Sequence, residues 1–471
     1  MTIRKGEDFS EWYNEAVLKA DLVDFASTKG FMFIKPYGYA IWENIQKALD
    51  GRLKEMGHKN AYAPAVIPEK LLSKEAEHVK GFAPECFYIT HSGNRKLHEK
   101  LVLRPTSETI IYESYAKWVR SWRDLPLLLN YWNSVFRAEI KMTKLFLRTC
   151  EFLWQEGHTV HETGEKADKE VMDILGIYRW LVEEWLAIPV VAGRKSENEK
   201  FAGALYTTAL EALMPDGRAL QMGTSHNLGT NFSKAFGITF LDREEKKQYA
   251  WQTSWGVSTR MIGALVMVHG DDKGLVLPPK IAPVQSVIVP IVFEKEKEGV
   301  LEEARKLHAK LAKRFRVELD DREGYTAGWK FNHWELKGVP VRIEIGPKDI
   351  KNKQVVFARR DTGEKVQIKM ENIENELDKL LEKMQKDMFA RAKRFLNENI
   401  VTAKNFEECR KAIENRKIVR VEWGNDPKAE EEIKEKTGAT IRIIPFDEKP
   451  SGKCFYTGKK AEVIAYFAKA Y

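Results

Sequence analysis

The sequence predicts a multidomain α+β protein, and three observations lead to this fold class. The chain has 471 residues, which corresponds to about three domains at roughly 150 residues each. The run LPPKIAP, around residues 278–283, interrupts any regular element because proline removes a backbone donor and fixes φ. After this run, strand-like stretches alternate with helix-like ones, as in an α/β sheet with helices on its faces. We therefore expect domains at 1–283, 284–398 and 399–471.

The composition excludes several classes of protein. Hydrophobic residues make up 43% and charged residues 31%, which argues against disorder and fibrous repeats. No run of about 18 apolar residues is present, so we expect no membrane span. The charged start, MTIRKGEDFSEWYNE, argues against an export signal. Scattered cysteines without a CxxC pair favour a reducing, cytoplasmic location. The net charge of +8 permits a polyanionic partner but does not require one.

Two helices and an interrupted strand are predicted near the start of the chain. EWYNEAVLKADLVDFA, residues 11–26, has apolar residues at helical spacing. AIWENIQKALDGRLKEMG, residues 40–57, repeats this pattern and ends in a glycine, which often follows a helix. KNAYAPAVIPEKLL, residues 59–72, contains Pro64 and Pro68. Since proline cannot donate to a sheet ladder, this segment is predicted to be an edge or interface strand.

The remaining segments predict two smaller α/β units. VQSVIVPIVF, at 284–293, indicates a buried strand, and the helix-like EKEGVLEEARKLHAKLAKRF follows it. The continued alternation predicts a small, largely parallel sheet. A long amphipathic helix is predicted over 372–400, before the last unit. From about 400 onward we expect short strands and one charged helix, DPKAEEEIKEKTG.

Common nucleotide and metal signatures are absent. Neither GxGxxG nor GxxxxGK[ST] occurs, so the sequence does not support a dinucleotide fold or a P-loop. The pair His158 and His161 has poor spacing for a metal site, and we interpret both as exposed or hydrogen-bonded core histidines.

The most informative stretch is SVFRAEIKMTKLFLRTCEFLWQEGHT, residues 134–159. It predicts a strand, a basic loop and a second strand, with Arg137 and Arg148 on either side of the loop. Alternation along the strands predicts that Glu139 and Glu156 face inward. Arginines of this kind bind phosphate bidentately, although an isolated strand arginine more often forms a surface ion pair.

A second arginine, Arg260, lies between an extended run and the apolar stretch MIGALVMVH. At the N-terminus of a helix it would be well placed for a phosphate. The alternative is that Gly263 and Ala264 only allow close helix packing.

These stretches resemble a known family. FRAE at 136–139 and GVSTR at 256–260 are similar to motifs 2 and 3 of the class II aminoacyl-tRNA synthetases, and GYAIWENIQKALD through YAP resembles motif 1. RPTSE, FLRTCEFLWQEGHT, QMGTSHNLGTNFSKAF and FNHWELKGVPVRIEIGPKD resemble the prolyl-tRNA synthetases of the archaeal and eukaryotic-like type. The likeness covers nearly the whole chain.

The resemblance implies both a fold and a reaction. The fold would be an antiparallel sheet flanked by helices, then an α/β anticodon-binding domain and a small α/β C-terminal domain. The reaction would use ATP with Mg²⁺ to activate L-proline as prolyl-adenylate and would transfer the prolyl group to tRNA(Pro). The family also implies a homodimer formed through motif 1. Two alternatives remain: an RNA-binding paralogue without catalysis, and a synthetase for threonine or serine.

By resemblance, two sets of residues would form the catalytic site. Arg137 and Arg260 would be the catalytic residues. The ATP-binding residues would be Arg137, Glu139, Arg148, Phe152, Gln221, Thr224 and Arg260. The proline-binding residues would be Thr106, Glu108, Arg137, Phe82, Trp154, Glu156, Phe201 and His226. Glu335, Arg342 and Lys365 would read the anticodon, although Arg342 could instead only pair with Glu344 or Glu335.

The chain departs from the family pattern in three ways. Relatives often hold zinc in the C-terminal domain with four cysteines, whereas this chain has Gly424, Cys454 and Thr457 in that region, so we expect zinc to be lost. Cys150 stands where relatives commonly have arginine, and alternation predicts it on the same face as Arg148. Motifs 2 and 3 are only about a hundred residues apart, too close for an editing domain between them.

Overall fold

The computed structural model describes residues 1–72, 85–139, 141, 143–293 and 296–471. Within these ranges, no helix combines the length and the apolar character that crossing a bilayer requires. The α-helices of the described residues are as follows: α1 Phe9–Lys19, α2 Pro36–Glu55, α3 Glu108–Trp118, α4 Gly164–Trp180, α5 Asn231–Phe236, α6 Arg260–His269, α7 Lys297–Leu311, α8 Ala327–Leu336, α9 Pro347–Lys351, α10 Ile373–Glu398, α11 Phe406–Glu414 and α12 Pro427–Thr437.

The strands of the described residues occur singly or in runs between these helices. They are as follows: β1 Val23–Phe25, β2 Met32–Ile34, β3 Lys59–Ala61, β4 Val66–Pro68, β5 Tyr88–Ser92, β6 Arg95–Leu103, β7 Leu127–Phe136, β8 Glu151–His161, β9 Val191–Arg194, β10 Tyr206–Leu213, β11 Ala219–Gly229, β12 Thr239–Leu241, β13 Lys247–Tyr249, β14 Trp251–Ser258, β15 Ser286–Pro290, β16 Val317–Leu319, β17 Val341–Ile345, β18 Gln354–Arg359, β19 Lys365–Lys369, β20 Ile400–Thr402, β21 Ile418–Trp423, β22 Thr440–Pro445 and β23 Val463–Ala468.

A large sheet is the centre of the molecule and confirms the expected antiparallel architecture. Among the described residues it has eleven strands in the order β20-β21-β23-β22-β9-β10-β11-β14-β8-β7-β3. All neighbours are antiparallel except the outermost pair at each end, β20 with β21 and β7 with β3. Gly157 of β8 lies against the ring of Trp255 in β14, where a Cβ would approach ring atoms to 2.1 Å. Only glycine fits this position, which fixes how closely these two strands pack.

The first predicted helix ends earlier than its apolar pattern suggested. α1 stops at Lys19, and Asp21 then adopts a positive φ of 59°. This left-handed turn redirects the chain into β1, so the end of the predicted segment 11–26 is a strand. The helix predicted at 40–57 is confirmed within α2, and the proline-containing segment after it forms the edge strands β3 and β4.

The second sheet is mixed, so the expectation of a largely parallel sheet is wrong. Its order is β16-β15-β17-β18-β19. β15 runs parallel to β16 and β17, whereas β17–β18 and β18–β19 are antiparallel. Residues 346–353, which include α9, connect β17 to β18, and residues 360–364 connect β18 to β19. Both connections are shorter than the dozen or more residues that a parallel crossover needs. The long helix predicted after this sheet is confirmed as α10.

The C-terminal strands are not a separate sheet. β22 pairs with β9, with Ile444 opposite Arg194 and Pro445 opposite Gly193, and this pairing extends the large sheet. A Cβ on Gly193 would lie 2.2 Å from the carbonyl oxygen of Ile444, so glycine is needed for the close approach. The segment also contains α11 in addition to the one charged helix that was expected. The two boundaries between the three predicted domains stay predictions, although each falls between elements.

Candidate active site

The structure brings most of the predicted site residues to one cavity of about 430 Å³, here called the central cavity. β8, β11 and β14 form its floor, and further lining residues come from the start of α6, the residues around the start of α3, and the segment that leads into β10. The predicted residues that line it are as follows: Thr106, Glu108, Arg137, Glu139, Phe152, Trp154, Glu156, Phe201, Gln221, Thr224, His226 and Arg260. Arg148 is not among the lining residues, and Phe82 lies outside the described residues.

One end of the central cavity is a buried acidic cluster. Glu108 accepts a hydrogen bond from Thr106 Oγ1, and Glu156 Oε1 accepts one from Asn133 Nδ2 at 2.9 Å. His158 Nε2 lies 2.9 Å from Glu156 Oε2. Burial raises the pKa of the Glu108 carboxyl. Burial alone would lower the pKa of His158, but its hydrogen bond to Glu156 and the nearby carboxylates outweigh burial and raise it.

His158 is therefore the hydrogen-bonded core histidine that the sequence indicated, but it also lines the cavity. One carboxylate oxygen from each of Glu108 and Glu156 and one ring nitrogen of His158 lie within 4.8 Å of one another. Two carboxylates against one imidazole make this end attractive to a small cation such as an amine. His161 is also buried, and burial lowers the pKa of its imidazole to about 4.

Aromatic rings stand next to the acidic cluster. The rings of Phe201 and His226 are 4.8 Å apart, and the rings of Phe152 and Trp154 meet edge to face at 6.0 Å. Burial lowers the pKa of His226 to about 3, so this imidazole is neutral at pH 7. Its Nδ1 lies 2.9 Å from Thr207 Oγ1. These aromatic rings, next to the acidic cluster, suit a ligand with a small apolar ring and a positively charged nitrogen.

The other end of the central cavity presents two arginines. Arg137 follows β7, and its guanidinium carbon lies 5.2 Å from the centre of the Phe152 ring. Arg260 is the first residue of α6, where the helix end adds positive potential. Arg137 Nε donates to Pro105 O at 3.3 Å and Arg260 Nε donates to Leu147 O at 3.4 Å. Burial, with a further contribution from Arg137, lowers the pKa of Arg260 to about 10, so it keeps its charge at pH 7.

The alternation argument is wrong beyond the ends of the strands. Glu139 lies after β7, and its 37% exposed side chain lines the central cavity while also pairing with Arg148 at 2.7 Å, so it does not face only inward. Cys150 lies before β8 and is buried with its Sγ against Gly30, away from the cavity lining. Strand alternation needs continuous strand geometry, and both residues belong to the loop.

Sequence reasoning missed several residues of the central cavity. Glu199, Thr207, Ser254 and Trp255 line it although no role was predicted for them. Ser254 and Trp255 belong to the extended run just before Arg260, so their position in β14 could have predicted that they line the same cavity. Glu199 lies in the segment between β9 and β10, where the sequence gives no periodic signal.

The predicted anticodon residues line a separate cavity of about 200 Å³, here called the Arg342 cavity. Arg342 donates to Glu344 Oε1 through Nε at 3.0 Å and Nη2 at 2.8 Å, and Lys365 Nζ lies 2.9 Å from the same oxygen. The pairing of Arg342 with Glu344 was the alternative interpretation, and it is present. Glu335 pairs with Lys273 at 2.9 Å instead.

The register explains how this cavity forms. Arg342 in β17 is opposite Ala358 in β18, which is opposite Lys365 in β19. The small side chain of Ala358 therefore leaves a space between two cations. Phe331 is not a lining residue, but its ring centre lies 4.0 Å from the Arg342 guanidinium carbon.

The residues at the expected zinc position lie together but do not fit zinc. A Cβ on Gly424 would lie 3.6 Å from Cys454 Sγ and 3.8 Å from Thr457 Oγ1. One thiol and one hydroxyl cannot supply the four ligands of a structural zinc site. The nearby rings of Trp423 and Phe455, 5.9 Å apart, provide apolar packing in this region.

Comparison with known protein families agrees with this arrangement in three consecutive segments. Residues 88–269 match the tRNA synthetase class II core domain (G, H, P, S and T). Residues 285–380 match an anticodon binding domain, and residues 406–471 match the prolyl-tRNA synthetase C-terminal family.

Several curated proteins are similar along their full length. A proline–tRNA ligase of Natranaerobius thermophilus is 54% identical, with 99% of this chain and 97% of that protein covered. One of Alkaliphilus oremlandii is 55% identical, covering 98% and 96%, and one of Cenarchaeum symbiosum is 51% identical, covering 100% and 99%. The resemblance found in the sequence is thus confirmed, and the chain belongs to the prolyl-tRNA synthetase family of class II aminoacyl-tRNA synthetases.

Proposed function

We propose that this chain is a proline–tRNA ligase that activates L-proline with ATP and transfers the prolyl group to tRNA(Pro). One observation carries the proposal: a single cavity has a buried acidic cluster with aromatic walls at one end and two charged arginines at the other. The first end suits the ring and amine of proline, and the second suits a triphosphate. A carboxylate held between them would lie where the two substrates react.

In the first step, a carboxylate oxygen of proline attacks the α-phosphorus of ATP. The bond from that phosphorus to the β-bridging oxygen breaks, and pyrophosphate leaves. Arg137, beside Phe152, would bind the α-phosphate and the proline carboxylate together. Arg260 would bind the triphosphate from the other side, so that negative charge is neutralised as it develops. Positioning of the two substrates supplies much of the remaining acceleration.

In the second step, a hydroxyl of the terminal adenosine of tRNA attacks the carbonyl carbon of prolyl-adenylate. The bond from that carbon to the phosphate oxygen breaks, AMP leaves, and the hydroxyl proton is lost to solvent or phosphate. No side chain is required as a nucleophile. Arg137 would stabilise the AMP phosphate as it departs.

The proline pocket would combine charge and shape. The secondary amine of proline has two N–H bonds when it is protonated, and Thr106 and Glu108 would accept them. Glu156 would add negative charge and is itself held by Asn133 and His158. Trp154, Phe201 and His226 would enclose the ring. Phe82, assigned to this pocket by resemblance, stays a prediction.

The nucleotide pocket would take adenine against the Phe152 ring, with Glu139 accepting from its amino group. Gln221 and Thr224 would line the pocket, and Arg148 would reach the γ-phosphate. ATP would arrive with Mg²⁺, which prefers phosphate oxygens, water and one or two carboxylates. Glu85, a carboxylate on the cavity wall with no other assigned role, fits that requirement. When bound, Mg²⁺ would neutralise phosphate charge.

The Arg342 cavity would bind a guanine of the proline anticodon. Arginine matches the O6 and N7 acceptors of guanine, and a carboxylate matches its N1–H and N2 amino group. Arg342, Lys365 and Glu335 line this cavity. Homodimerisation and a cytoplasmic location remain predictions.

No editing of mischarged tRNA in cis is expected. Residues 162–250, all of them described, contain α4, β9, β10, β11, α5, β12 and β13, and three of these strands belong to the large sheet. No separately folded domain interrupts that described stretch. Since losing apolar contact with a smaller substrate costs only about 1–3 kcal/mol, we predict some activation of alanine and cysteine.

The deciding experiment is ATP–pyrophosphate exchange without tRNA, with proline, alanine, cysteine, threonine and serine in parallel. Exchange that is strongest with proline supports the proposal, and charging of tRNA(Pro) then tests the second step. Folded protein without exchange for any amino acid would indicate an RNA-binding paralogue. Exchange that is strongest with threonine or serine would contradict the substrate assignment. No response to alanine or cysteine would contradict only the predicted selectivity.

A further inference from the structure

The segment 195–204, between β9 and β10, forms part of the central cavity. It contributes Glu199 and Phe201 to the lining. The backbone N–H of Phe201 donates to Thr207 Oγ1 at 2.9 Å, and its ring lies against His226. This segment therefore forms one wall of the pocket assigned to the proline ring, and its position determines the shape of that pocket.

The opposite side of the same segment is held by the C-terminal domain. Ser196 Oγ donates to Glu430 Oε1 at 2.7 Å, and Asn198 Nδ2 donates to the carbonyl oxygen of Pro427 at 2.9 Å. Ser196 and Glu430 are each only 3% exposed. Both partners belong to α12, more than 200 residues later in the chain.

A buried ion-pair network adds a second connection. Arg442 in β22 pairs with Glu211 at 3.0 Å and with Glu199 at 3.4 Å. Lys195 Nζ pairs with Glu211 at 2.6 Å and donates to the carbonyl oxygen of Arg442 at 2.9 Å. The side chains of Lys195, Glu211 and Arg442 are exposed by 3%, 2% and 10%. Removing one member of such a network leaves buried charge without its partner, so its geometry is strongly fixed.

We propose that the C-terminal domain positions the proline pocket: Arg442 through Glu199, and Glu430 through Ser196, hold segment 195–204 so that Phe201 stands against the substrate ring. This inference rests on the proposed function. Arg442 and Glu430 are positioning residues, because the groups that face the cavity are Glu199 and Phe201. The C-terminal domain thereby contributes to amino-acid binding as well as to the fold.

The test compares the KM for proline with the KM for ATP in pyrophosphate exchange. Arg442→Gln releases Glu199 and is expected to raise the KM for proline about tenfold, the effect of losing a charged hydrogen bond. The KM for ATP should change less than about twofold, since the residues assigned to ATP lie outside the segment. Arg442→Lys keeps the charge but cannot span both carboxylates, so an intermediate KM for proline is expected.

A milder variant and a matched control complete the design. Ser196→Ala removes one hydroxyl and should raise the KM for proline about threefold. Arg420→Gln breaks an arginine–glutamate pair with Glu448 in the same domain, away from the segment. It should leave both KM values unchanged. Thermal unfolding followed by circular dichroism verifies that each variant is folded.

Two outcomes would overturn the inference. One is folded Arg442→Gln and Ser196→Ala with a KM for proline like that of the wild type. The other is an effect that is not specific to the proline pocket, seen either as an equal rise in both KM values or as the same rise in Arg420→Gln. If Arg442→Gln does not fold, Ser196→Ala decides alone. Failure of the proposed function itself looks different, because the wild-type protein would then show no proline-dependent exchange.

Discussion

The central cavity and the Arg342 cavity are both lined by arginine, but the arginines differ in whether a carboxylate neutralises their charge. Among the described residues, Arg137 and Arg260 form no ion pair, and their Nε groups donate to backbone carbonyls. Arg342 instead shares the Glu344 carboxylate with Lys365. The triphosphate proposed for the central cavity requires charge that is not yet neutralised, whereas the neutral base proposed for the Arg342 cavity requires donors held in fixed directions. In these two cavities, the pairing state of Arg137, Arg260 and Arg342 therefore matches the ligand proposed for each cavity.

The largest loss of activity is expected from substituting Arg137, whose charge is not neutralised by an ion pair among the described residues. Arg137→Gln should lower kcat/KM in proline-dependent pyrophosphate exchange by about 10²–10³-fold, the usual effect of losing one donor to developing charge. Arg148→Gln is the matched comparison, because Glu139 already pairs with Arg148. Its loss should be smaller, about tenfold. Equal losses in the two variants would contradict the distinction between free and paired arginines.

A substitution at the acidic end of the central cavity should weaken proline binding. Glu108→Gln removes the buried carboxylate assigned to the proline amine and should raise the KM for proline by about 10–100-fold, as for a hydrogen bond to a charged group. The KM for ATP should stay near that of the wild type. Steady-state exchange with one substrate varied at a time measures both. A parallel rise in the two constants would place Glu108 outside the proline pocket.

The Arg342 cavity should affect only the step that involves tRNA. Arg342→Gln should raise the KM for tRNA(Pro) in charging by about 5–100-fold, since a bidentate contact to guanine contributes about 1–3 kcal/mol. Pyrophosphate exchange should be unaffected. Arg314→Gln, which removes an exposed pair with Asp378 in the same domain, is the control. Equal loss in exchange and charging would contradict the anticodon role.

The smallest effect concerns the carboxylate that pairs with both cations. Glu344→Gln removes the charge that orients Arg342 and Lys365, so their donors are held less firmly. The KM for tRNA(Pro) should rise about threefold, the effect of one weakened hydrogen bond. Charging of a tRNA with a substituted anticodon should fall less, because two unpaired cations attract any RNA backbone. An unchanged ratio between the two tRNAs would show that Glu344 does not contribute to selectivity.

The sequence predicts local features well and long-range ones poorly. The placement of Arg260 at a helix start follows from a strand pattern that changes into an apolar helical one within a few residues. The orientation of Glu139 does not follow, since alternation holds only inside a strand. The pairing of Glu199 with Arg442 joins residues 243 positions apart, and no local pattern contains that information.

The mixed sheet of the second unit shows the same limit. Periodicity predicts strands such as β18 and β19, but the direction in which a strand inserts depends on connections and on neighbours. The resemblance to a family supplied what periodicity could not, namely that distant segments meet at one site. The residues of the central cavity could therefore be predicted as one site from the resemblance, but not from periodicity.

The pairing of β9 with β22 also affects how the chain can fold while it is being made. Arg194 and its partner Ile444 are separated by 250 residues, so at about 5–20 residues per second the β9 edge leaves the ribosome roughly 10–50 s before its partner strand. During that interval the edge has unpaired backbone groups, which invite contact with other chains. Synthesis of this enzyme should therefore depend on chaperones more than the finished sheet, in which β9 is paired on both sides, suggests.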